Sequence, residues 1–408
     1  MPPDAAGQTV LGRTFPAPAA EPHVEHRLRF AGSGSEYFRI WIVNLLLSIV
    51  TLGIYSAWAK ARREQYFHRN TLLDGSGFDY HGDPKAILKG RVIAVALLAV
   101  LSLIDRMEHD LYYPALLAAS PLVPWLMIRS FVFRARNTSY RGLHFDFRGT
   151  YKDFCKTFLA PLVVLLGLGW LAALAMPSPG FGDDQVFGFA QAIRFPLLMA
   201  AAIASMLLIP VLWHRFKAFQ FNHLAFGASR FESDFRLKSF FWIFLRLFFL
   251  AVIVTALLIV APLVVFILRI KDSGSADFLS ALFGSWFLAL LPLFVLPAYI
   301  LLFFMLPAYF QALLTNLVWN HTRLDGHGFR SDQTLGGVFK IVFTNWLLLI
   351  LTLGFYWPWA KVRMARYRAE HMAVLAAGGL DDFIGAASPE RSAYGEEIAD
   401  VFDFDLGF

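Results

Sequence analysis

The sequence predicts an all-α polytopic membrane protein built from internal repeats. The predicted fold has six transmembrane helices, two further half-inserted or spanning segments, and short cytoplasmic β-hairpins. The 408-residue chain is 57% hydrophobic and 16% charged, whereas soluble domains are about 45–50% apolar and about 25% charged. Several uncharged runs reach the length of about 20 residues that a membrane helix needs. In addition, one apolar segment occurs twice.

The repeated segment is residues 44–62 near the start and 345–363 near the end, and twelve of its nineteen positions are identical. A shorter segment also occurs twice: Thr71–Phe78 follows the first copy, Thr322–Phe329 precedes the second, and both contain the pattern Leu-Asp-Gly-x-Gly-Phe. Self-similarity of this kind indicates a fold assembled from repeated units.

Six uncharged runs predict the membrane spans. The first becomes long enough when Ile87 and Leu88 extend it and Lys89 and Arg91 turn their charged ends toward the surface. The predicted runs are Val92–Ile104, Leu111–Ile128, Thr157–Gly182, Phe195–Trp213, Leu247–Leu268 and Phe278–Pro307.

The distribution of Lys and Arg predicts the orientation of these spans. The four long loops carry 22 basic residues and the three short loops carry four, and basic loops remain cytoplasmic. The spans therefore form three hairpins, 87–128, 154–213 and 239–306, that return to the cytoplasm. The repeated segments 40–57 and 341–357 lie outside them. Half-insertion keeps both termini inside, in agreement with the charges, while eight full spans stay open because each segment is long enough.

A weak repeat also occurs in the cytoplasmic loops. Each copy opens with a polar residue, followed at a fixed distance by glycine and then by phenylalanine. The copies begin at Asn70, Asn137, Asn222 and His321. Asp-Gly between alternating apolar positions is typical of a β-hairpin turn. Alternation such as Phe78 and Tyr80 places two aromatic rings on one face of a strand.

Composition divides the chain into three parts. Residues 1–29 are predicted to be a disordered leader without a signal peptide, and 30–377 form the repeat-derived membrane domain. Residues 378–408 form an acidic tail with eight Asp and Glu against one Arg. The tail either stays disordered or folds back on the basic loops, and it is the candidate binding segment for a protein partner.

The twin pattern N-x-L-L-x-x-x-T-L-G-φ-Y-x-x-W-A-K-x-R, the L-D-G-x-G-F turn and the acidic end resemble the YjgN-like family of bacterial inner-membrane proteins. The resemblance extends from about Phe30 to the end of the chain. The first copy departs from the family pattern at Ser56-Ala57, where the family, like the second copy at Trp357-Pro358, usually has a proline. The resemblance implies location in the bacterial inner membrane and the architecture, but no established activity and no catalytic residues.

Polar or helix-breaking residues inside the apolar segments are the candidates for a solute pathway or for helix contacts. These residues are Asn44, Thr51, Gly53, Asn345, Thr352, Gly354 and Arg246. A broken helix frees backbone groups that bind ions or solutes in transporters. Alternatively, the breaks are simple re-entrant turns, the asparagines tie helices together, and Arg246 extends its charge to the surface.

Aromatic and basic residues after the breaks are the candidates for contact with the membrane interface and with lipid head groups. They are Tyr55, Trp58, Lys60, Arg62, Arg63, Tyr356, Trp359, Lys361, Arg363 and Arg366. Tyr and Trp favour the interface, and basic residues attract anionic lipid. The same basic residues also act as topology determinants without any ligand.

The sequence contains no Walker loop, nucleophile elbow or dinucleotide fingerprint. Its histidines lack metal-ligand spacing, and its one cysteine, Cys155, excludes internal disulfides. We therefore expect no enzyme activity, metal, cofactor or nucleic-acid partner. The leading hypothesis is a transporter or channel for a small solute or lipid. The alternative is a membrane scaffold or adaptor that binds anionic lipid or a protein partner.

Overall fold

The computed structural model describes residues 9–10, 13–14, 24–107, 109–175, 187–273, 303 and 305–379. The strands are β1 Thr9–Val10, β2 Arg13–Thr14, β3 Val24–Arg27, β4 Arg29–Phe30, β5 Thr71–Leu73, β6 Ser76–Tyr80, β7 Thr138–Tyr140, β8 Leu143–Phe147, β9 Leu224–Phe226, β10 Ser229–Ser233, β11 Thr322–Leu324, β12 His327–Ser331 and β13 Met372–Ala376. The helices are α1 Gly34–Val50, α2 Ser56–Arg69, α3 Pro84–Met107, α4 His109–Ala119, α5 Leu122–Arg136, α6 Tyr151–Ala175, α7 Phe187–Asn222, α8 Leu237–Ser273, α9 Leu335–Leu351 and α10 Trp357–Glu370. Residues 305–320 are also helical.

The prediction of an all-α protein is wrong. The four loop hairpins lie where the sequence predicts them, but they are joined edge to edge. Together with β3, β4 and β13 they make one eleven-stranded antiparallel sheet in the order β3-β13-β12-β11-β10-β9-β8-β7-β6-β5-β4. An isolated two-stranded hairpin is only marginally stable and leaves unpaired edges. Pairing with the next hairpin removes both problems.

The sheet closes through a single short segment at its start. Residues 24–27 pair with β13, residues 29–30 pair with β5, and the N–H of Leu28 between them donates to the carbonyl of Met372 at 2.9 Å. One continuous piece of chain therefore forms both ends of the strand order. The sheet becomes a barrel in which the first and last parts of the described chain hold each other.

Tight two-residue turns connect the strands of each hairpin. Both central residues have positive φ at residues 74–75, 141–142 and 325–326, as type I′ turns require, and Gly227 has a φ of 57° in the remaining hairpin. Because the hairpins run in sequence around the sheet, all four turns lie at one end of the barrel. Every helical excursion therefore begins and ends at the opposite end.

The interior of the barrel is filled with side chains. One buried cluster combines residues from six strands: Leu73, Tyr140, Phe226, Phe231, Leu324 and Val374. Aromatic pairs link neighbouring hairpins, with ring centroids 4.8 Å apart for Phe145 and Phe226 and 5.9 Å apart for Phe231 and Phe329. The hydrophobic face predicted for single hairpins is thus the packed core of the barrel.

The prediction of six membrane helices is also corrected. Within the described residues, five helices are long and apolar enough to cross a membrane: Pro84–Met107, Pro114–Arg136, Tyr151–Leu171, Phe195–Asn222 and Leu237–Ala256. The sixth predicted run, 278–307, lies almost entirely outside the described residues. Only 6–11% of each apolar window is buried within the protein, so these helices present most of their apolar surface outward.

The two copies of the repeated segment form helical hairpins, α1–α2 and α9–α10. Each hairpin leaves the helix end of the barrel and returns to it. α1 begins at a capping box, in which Ser33 Oγ accepts from the N–H of Glu36 and the Glu36 carboxylate accepts from the N–H of Ser33, both at 3.2 Å. The two hairpins pack together, with ring centroids 5.0 Å apart for Phe38 and Trp359.

Candidate functional site

The break in the first hairpin is a Schellman motif. The N–H of Gly53 donates to the carbonyl of Ser48 at 2.7 Å, and the N–H of Leu52 donates to the carbonyl of Ile49 at 3.1 Å. Leu52 has a φ of 51° and Gly53 a φ of 91°. Leucine therefore occupies the left-handed position that glycine usually takes in this motif, at a cost of about 1–2 kcal/mol. The second hairpin has the same geometry, with Leu353 at 49° and Gly354 at 90°.

The threonines of the two breaks are bonded within their own hairpins. Thr51 Oγ1 donates to the carbonyl of Leu47 at 2.7 Å and accepts from the N–H of Tyr55 at 2.9 Å. In the second hairpin, Thr352 Oγ1 donates to the carbonyl of Leu348 at 2.7 Å and accepts from the N–H of Tyr356 at 3.0 Å. These hydroxyls join the end of one helix to the start of the next. Both threonine hydroxyls are thus occupied by bonds within their own helix–turn–helix.

The tips of both hairpins are strongly apolar and exposed. Leu52 is 95% exposed and Leu353 is 90% exposed. Val50 and Leu351, two positions earlier in each copy, are 78% and 70% exposed. In water, the left-handed backbone of such an exposed leucine lowers the stability of the fold, and burial of its side chain does not offset this cost. The same side chain is favourable when the tip lies in an apolar environment.

Asn345 ties the second hairpin together. Its side chain is 7% exposed, its Oδ1 accepts from Arg363 Nη1 at 2.9 Å, and its Nδ2 donates to the carbonyl of Ala360 at 3.3 Å. Arg363 Nη1 also lies 3.4 Å from the hydroxyl of Tyr356. One arginine thus contacts the buried Asn345 amide and the half-buried Tyr356 hydroxyl between α9 and α10.

The first hairpin has the same residues but not the same contacts. Asn44 is also 7% exposed, yet Asn44 Oδ1 and the hydroxyl of Tyr55 are buried and have no hydrogen-bond partner among the residues that the structure describes. The guanidinium of Arg62 instead lies over the Tyr55 ring, 5.7 Å from its centroid. Asn345 therefore bonds within its own hairpin, and these contacts do not join the two asparagines to each other. The sequence does not reveal this asymmetry, because all three residue types recur.

Aromatic residues follow each break in matching positions. Tyr55 stacks on Trp58 with centroids 6.2 Å apart, and Tyr356 stacks on Trp359 with centroids 5.9 Å apart. Both pairs have an interplanar angle of 13°. Trp359 also contacts Phe38 of the other hairpin, so this aromatic cluster joins the two copies.

Residues 25–401 match the model of a family described as bacterial protein of unknown function (DUF898). The chain belongs to this family. It is 26% identical over 356 residues to the inner membrane protein YjgN of Salmonella typhimurium, covering 86% of this chain and 88% of that protein. It is 27% identical over 225 residues to the inner membrane protein YjgN of Escherichia coli K12, covering 51% and 52%. No solved structure matches the chain. The resemblance inferred from the twin motif is confirmed, and the chain is a membrane protein.

In this family member, the basic residues after the first break differ in their surroundings. Lys60 is half-buried, and its pKa is lowered by burial and by neighbouring arginines. Arg63 pairs with Glu64, with Nη2 and Oε1 2.9 Å apart. Arg62, in contrast to Arg63, has no carboxylate within ion-pair distance among the described residues, and its guanidinium contacts the Tyr55 ring.

The basic residues after the second break also contact the protein. Lys361 Nζ lies 4.6 Å from the centroid of the Trp357 ring. Arg366 donates to the carbonyl of Gly32 at 3.0 Å, which links α10 to the chain just before α1. Arg246 is exposed on α8, in a candidate membrane span outside the two helical hairpins.

Two residues that the sequence interpretation left out belong beside Arg62. Arg39 on α1 and Arg69 on α2 line the same groove as Arg62. Their spacing in sequence carries no signal, because α1 and α2 must fold back on each other before these residues meet. Across the described residues, no group of three His, Cys, Asp or Glu side chains is arranged to hold a metal ion.

Proposed function

We propose that this protein is a non-enzymatic scaffold of the bacterial inner membrane, holding a closed β-barrel at the cytoplasmic surface. In this proposal the paired hairpins α1–α2 and α9–α10 insert their tips into the bilayer and contact anionic lipid. The observation that carries the proposal is the pair of left-handed leucines, Leu52 and Leu353, at exposures of 95% and 90%.

The placement of basic residues supports the proposed orientation. All helical excursions leave one end of the barrel, and Lys85, Lys152 and Lys238 lie in the first turns of α3, α6 and α8. Basic residues beside membrane helices favour the cytoplasmic side. The barrel and the start of each span therefore belong on that side in the proposal, with the hairpin tips pointing into the membrane.

The energetics favour tips in lipid. Burying a leucine side chain in an apolar environment contributes about 1.5–3 kcal/mol, so Leu52 and Leu353 together contribute about 3–6 kcal/mol. The left-handed backbone costs about 1–2 kcal/mol at each site. Insertion offsets this cost, whereas exposure to water leaves it uncompensated.

Transport of a small solute or lipid is the second candidate. The observation that favours it is the packing of the two repeat copies against each other, including Trp41 against Phe355 with centroids 6.4 Å apart. Transporters often place their pathway where two structural repeats meet. Protein-dependent flux in proteoliposomes supports transport, and no flux together with lipid-inserted tips supports the scaffold.

The depth of the tips tests the scaffold proposal. Leu52→Cys or Leu353→Cys is introduced with Cys155→Ser, labelled with an environment-sensitive fluorophore and reconstituted in vesicles. We expect quenching by spin-labelled lipid chains and protection from aqueous iodide. The matched control is Ala228→Cys, an exposed residue in a hairpin turn at the other end of the barrel, where the opposite pattern is expected. Iodide quenching of both tips, with no effect of the lipid quencher, contradicts the proposal.

The acidic tail is the proposed contact for a protein partner. Strand β13 ends at Ala376, at the turn end of the barrel, where the N–H of Ala377 donates to His327 Nδ1 at 3.1 Å. The tail therefore begins on the side facing away from the helices. Deleting residues 379–408 discriminates between the candidates. Loss of a co-purifying partner favours the scaffold, and unchanged co-purification with altered flux favours transport.

A further inference from the structure

A basic groove of about 540 Å³ lies between α1 and α2, nearer the barrel than the hairpin tip. Arg39 from α1 and Arg62 and Arg69 from α2 line it, and Ile40 and Val43 supply an apolar wall. The hairpin brings the three arginines together because Arg39 lies in the first half of α1, Arg62 at the middle of α2 and Arg69 at its end.

Two of the three guanidinium groups have donors available for a ligand. Arg69 Nε lies 2.8 Å from Asp79 Oδ1. Within the described part of the chain, neither Arg39 nor Arg62 has a carboxylate or hydrogen-bond partner. The nearby Glu36 carboxylate is held by the capping box of α1 and by the hydroxyl of Tyr66. The groove therefore keeps a net positive charge.

Comparison with the second hairpin explains why Arg62 is available. Its counterpart, Arg363, is bonded to Asn345 Oδ1. In the first hairpin that bond is not made, and the buried Asn44 Oδ1 and Tyr55 hydroxyl have no partner within the described ranges of the chain. Arg62 thus does not make the hydrogen bond to the hairpin asparagine that its counterpart Arg363 makes.

The second copy also lacks the set of three arginines. The positions that match Arg39 and Arg69 are Lys340 and Glu370, so an acidic residue replaces one member of the set. The basic groove is a property of the first copy alone. A general requirement for positive charge beside the membrane does not explain this difference between two copies of one segment.

We propose that this groove binds the phosphate of an anionic membrane phospholipid. Guanidinium groups bind phosphate oxygens through paired hydrogen bonds. An exposed apolar stripe leads from the groove toward the tip through Val43, Leu47 and Val50, which are 47%, 37% and 78% exposed, and it provides a surface for an acyl chain. The inference deepens the proposed function and rests on it, since the hairpin must lie in the bilayer for the lipid to reach the groove.

The test uses the full-length protein in nanodiscs of phosphatidylcholine mixed with phosphatidylglycerol. Native mass spectrometry counts the phosphatidylglycerol retained on release. We expect selective retention by the wild type and a loss of about fivefold in affinity for each of Arg39→Gln and Arg62→Gln. The charge-matched control, Arg230→Gln with Arg323→Gln, removes two exposed charges from the barrel strands β10 and β11, away from both helical hairpins, and should retain the lipid. Arg39→Lys with Arg62→Lys keeps the charge and should retain phosphatidylglycerol more weakly than the wild type.

Three results would overturn the inference. The first is unchanged phosphatidylglycerol retention when Arg39 and Arg62 are both replaced by Gln. The second is equal loss in the charge-matched control. The third is displacement of the lipid by inorganic phosphate, which would make free phosphate the ligand. Quenching of the labelled Leu52→Cys variant in the same nanodiscs separates the two proposals. Deep tips without selective lipid retention refute lipid binding in the groove alone. Shallow tips refute the proposed function. If the double variant does not fold, the single variants and the lysine variant give the same comparison.

Discussion

Asn44 and Asn345 occupy matching positions in the repeat and are equally buried, at 7% exposure, but only one is fully bonded. Asn345 Oδ1 accepts a charge-assisted hydrogen bond from Arg363, whereas Asn44 Oδ1 has no partner in the described part of the chain. We therefore expect the same substitution, Asn→Leu, to lower the free energy of unfolding at Asn345 but not at Asn44.

The magnitudes follow from these contacts. Asn345→Leu removes a hydrogen bond to a charged group, which contributes about 1.5–3 kcal/mol. It also removes the 3.3 Å bond to the carbonyl of Ala360. Asn44→Leu removes a buried acceptor whose desolvation is uncompensated and costs about 1–3 kcal/mol. Asn345→Leu should therefore destabilise the protein, and Asn44→Leu should leave it equally stable or more stable.

The assay is unfolding of the full-length protein in one detergent, followed by tryptophan fluorescence for both single variants and the double variant. The two asparagines lie in separate hairpins and share no hydrogen-bond partner, so we expect the effects to add in the double variant. Arg363→Gln should cost less on the Asn345→Leu background than in the wild type, because the bond between the two residues is already lost and only the 3.4 Å contact with the Tyr356 hydroxyl remains. Destabilisation of equal size at both asparagines would refute the reasoning.

Three further outcomes are expected from measurements of the unfolding temperature. Gly53→Ala should destabilise the protein by about 1–2 kcal/mol, because a φ of 91° disfavours any Cβ; an unchanged unfolding temperature would argue against the Schellman turn. Tyr140→Phe should cost about 1 kcal/mol, because the buried hydroxyl donates to the carbonyl of Leu73 at 2.8 Å, and no loss would mean that this bond is not formed. The pKa of Glu36 is lowered from 4.5, first by the hydrogen bond from the N–H of Ser33. Its ionised form therefore stabilises the folded state above pH 4.5, and this stabilisation is lost as the pH falls through the lowered pKa. Glu36→Gln should reduce the pH dependence of unfolding in that range, and an unaltered profile would contradict this.

Local sequence signals predicted the hairpins well. The Asp-Gly turns at 74–75 and 325–326 have the positive φ values that the residue types favour. The sequence-based prediction was wrong about how the hairpins associate. Strand pairing between β6 and β7, or between β13 and β3, depends on chain segments separated by membrane excursions or by most of the sequence. No local pattern encodes such a pairing, so separate hairpins were expected where one barrel forms.

The candidate site was predicted in part. Repetition identified Asn44, Arg62 and their counterparts as related residues, but it implied that both copies make the same contacts. The structure gives Arg363 a buried partner and leaves Arg62 beside the groove. Arg39 and Arg69 were missed because their proximity depends on the reversal of the chain at the hairpin tip.

The sequence by itself determined the membrane class, the family, the internal repeat and the places of the turns. These properties depend on hydrophobicity and backbone preference, which act over a few residues. Only the tertiary structure decided that the hairpins close into a barrel through residues 24–30, that the repeated segments fold back to it, and that two copies of one motif hold their arginines differently. These properties depend on contacts between distant segments, where packing and hydrogen-bond satisfaction select one arrangement among several that the local sequence allows.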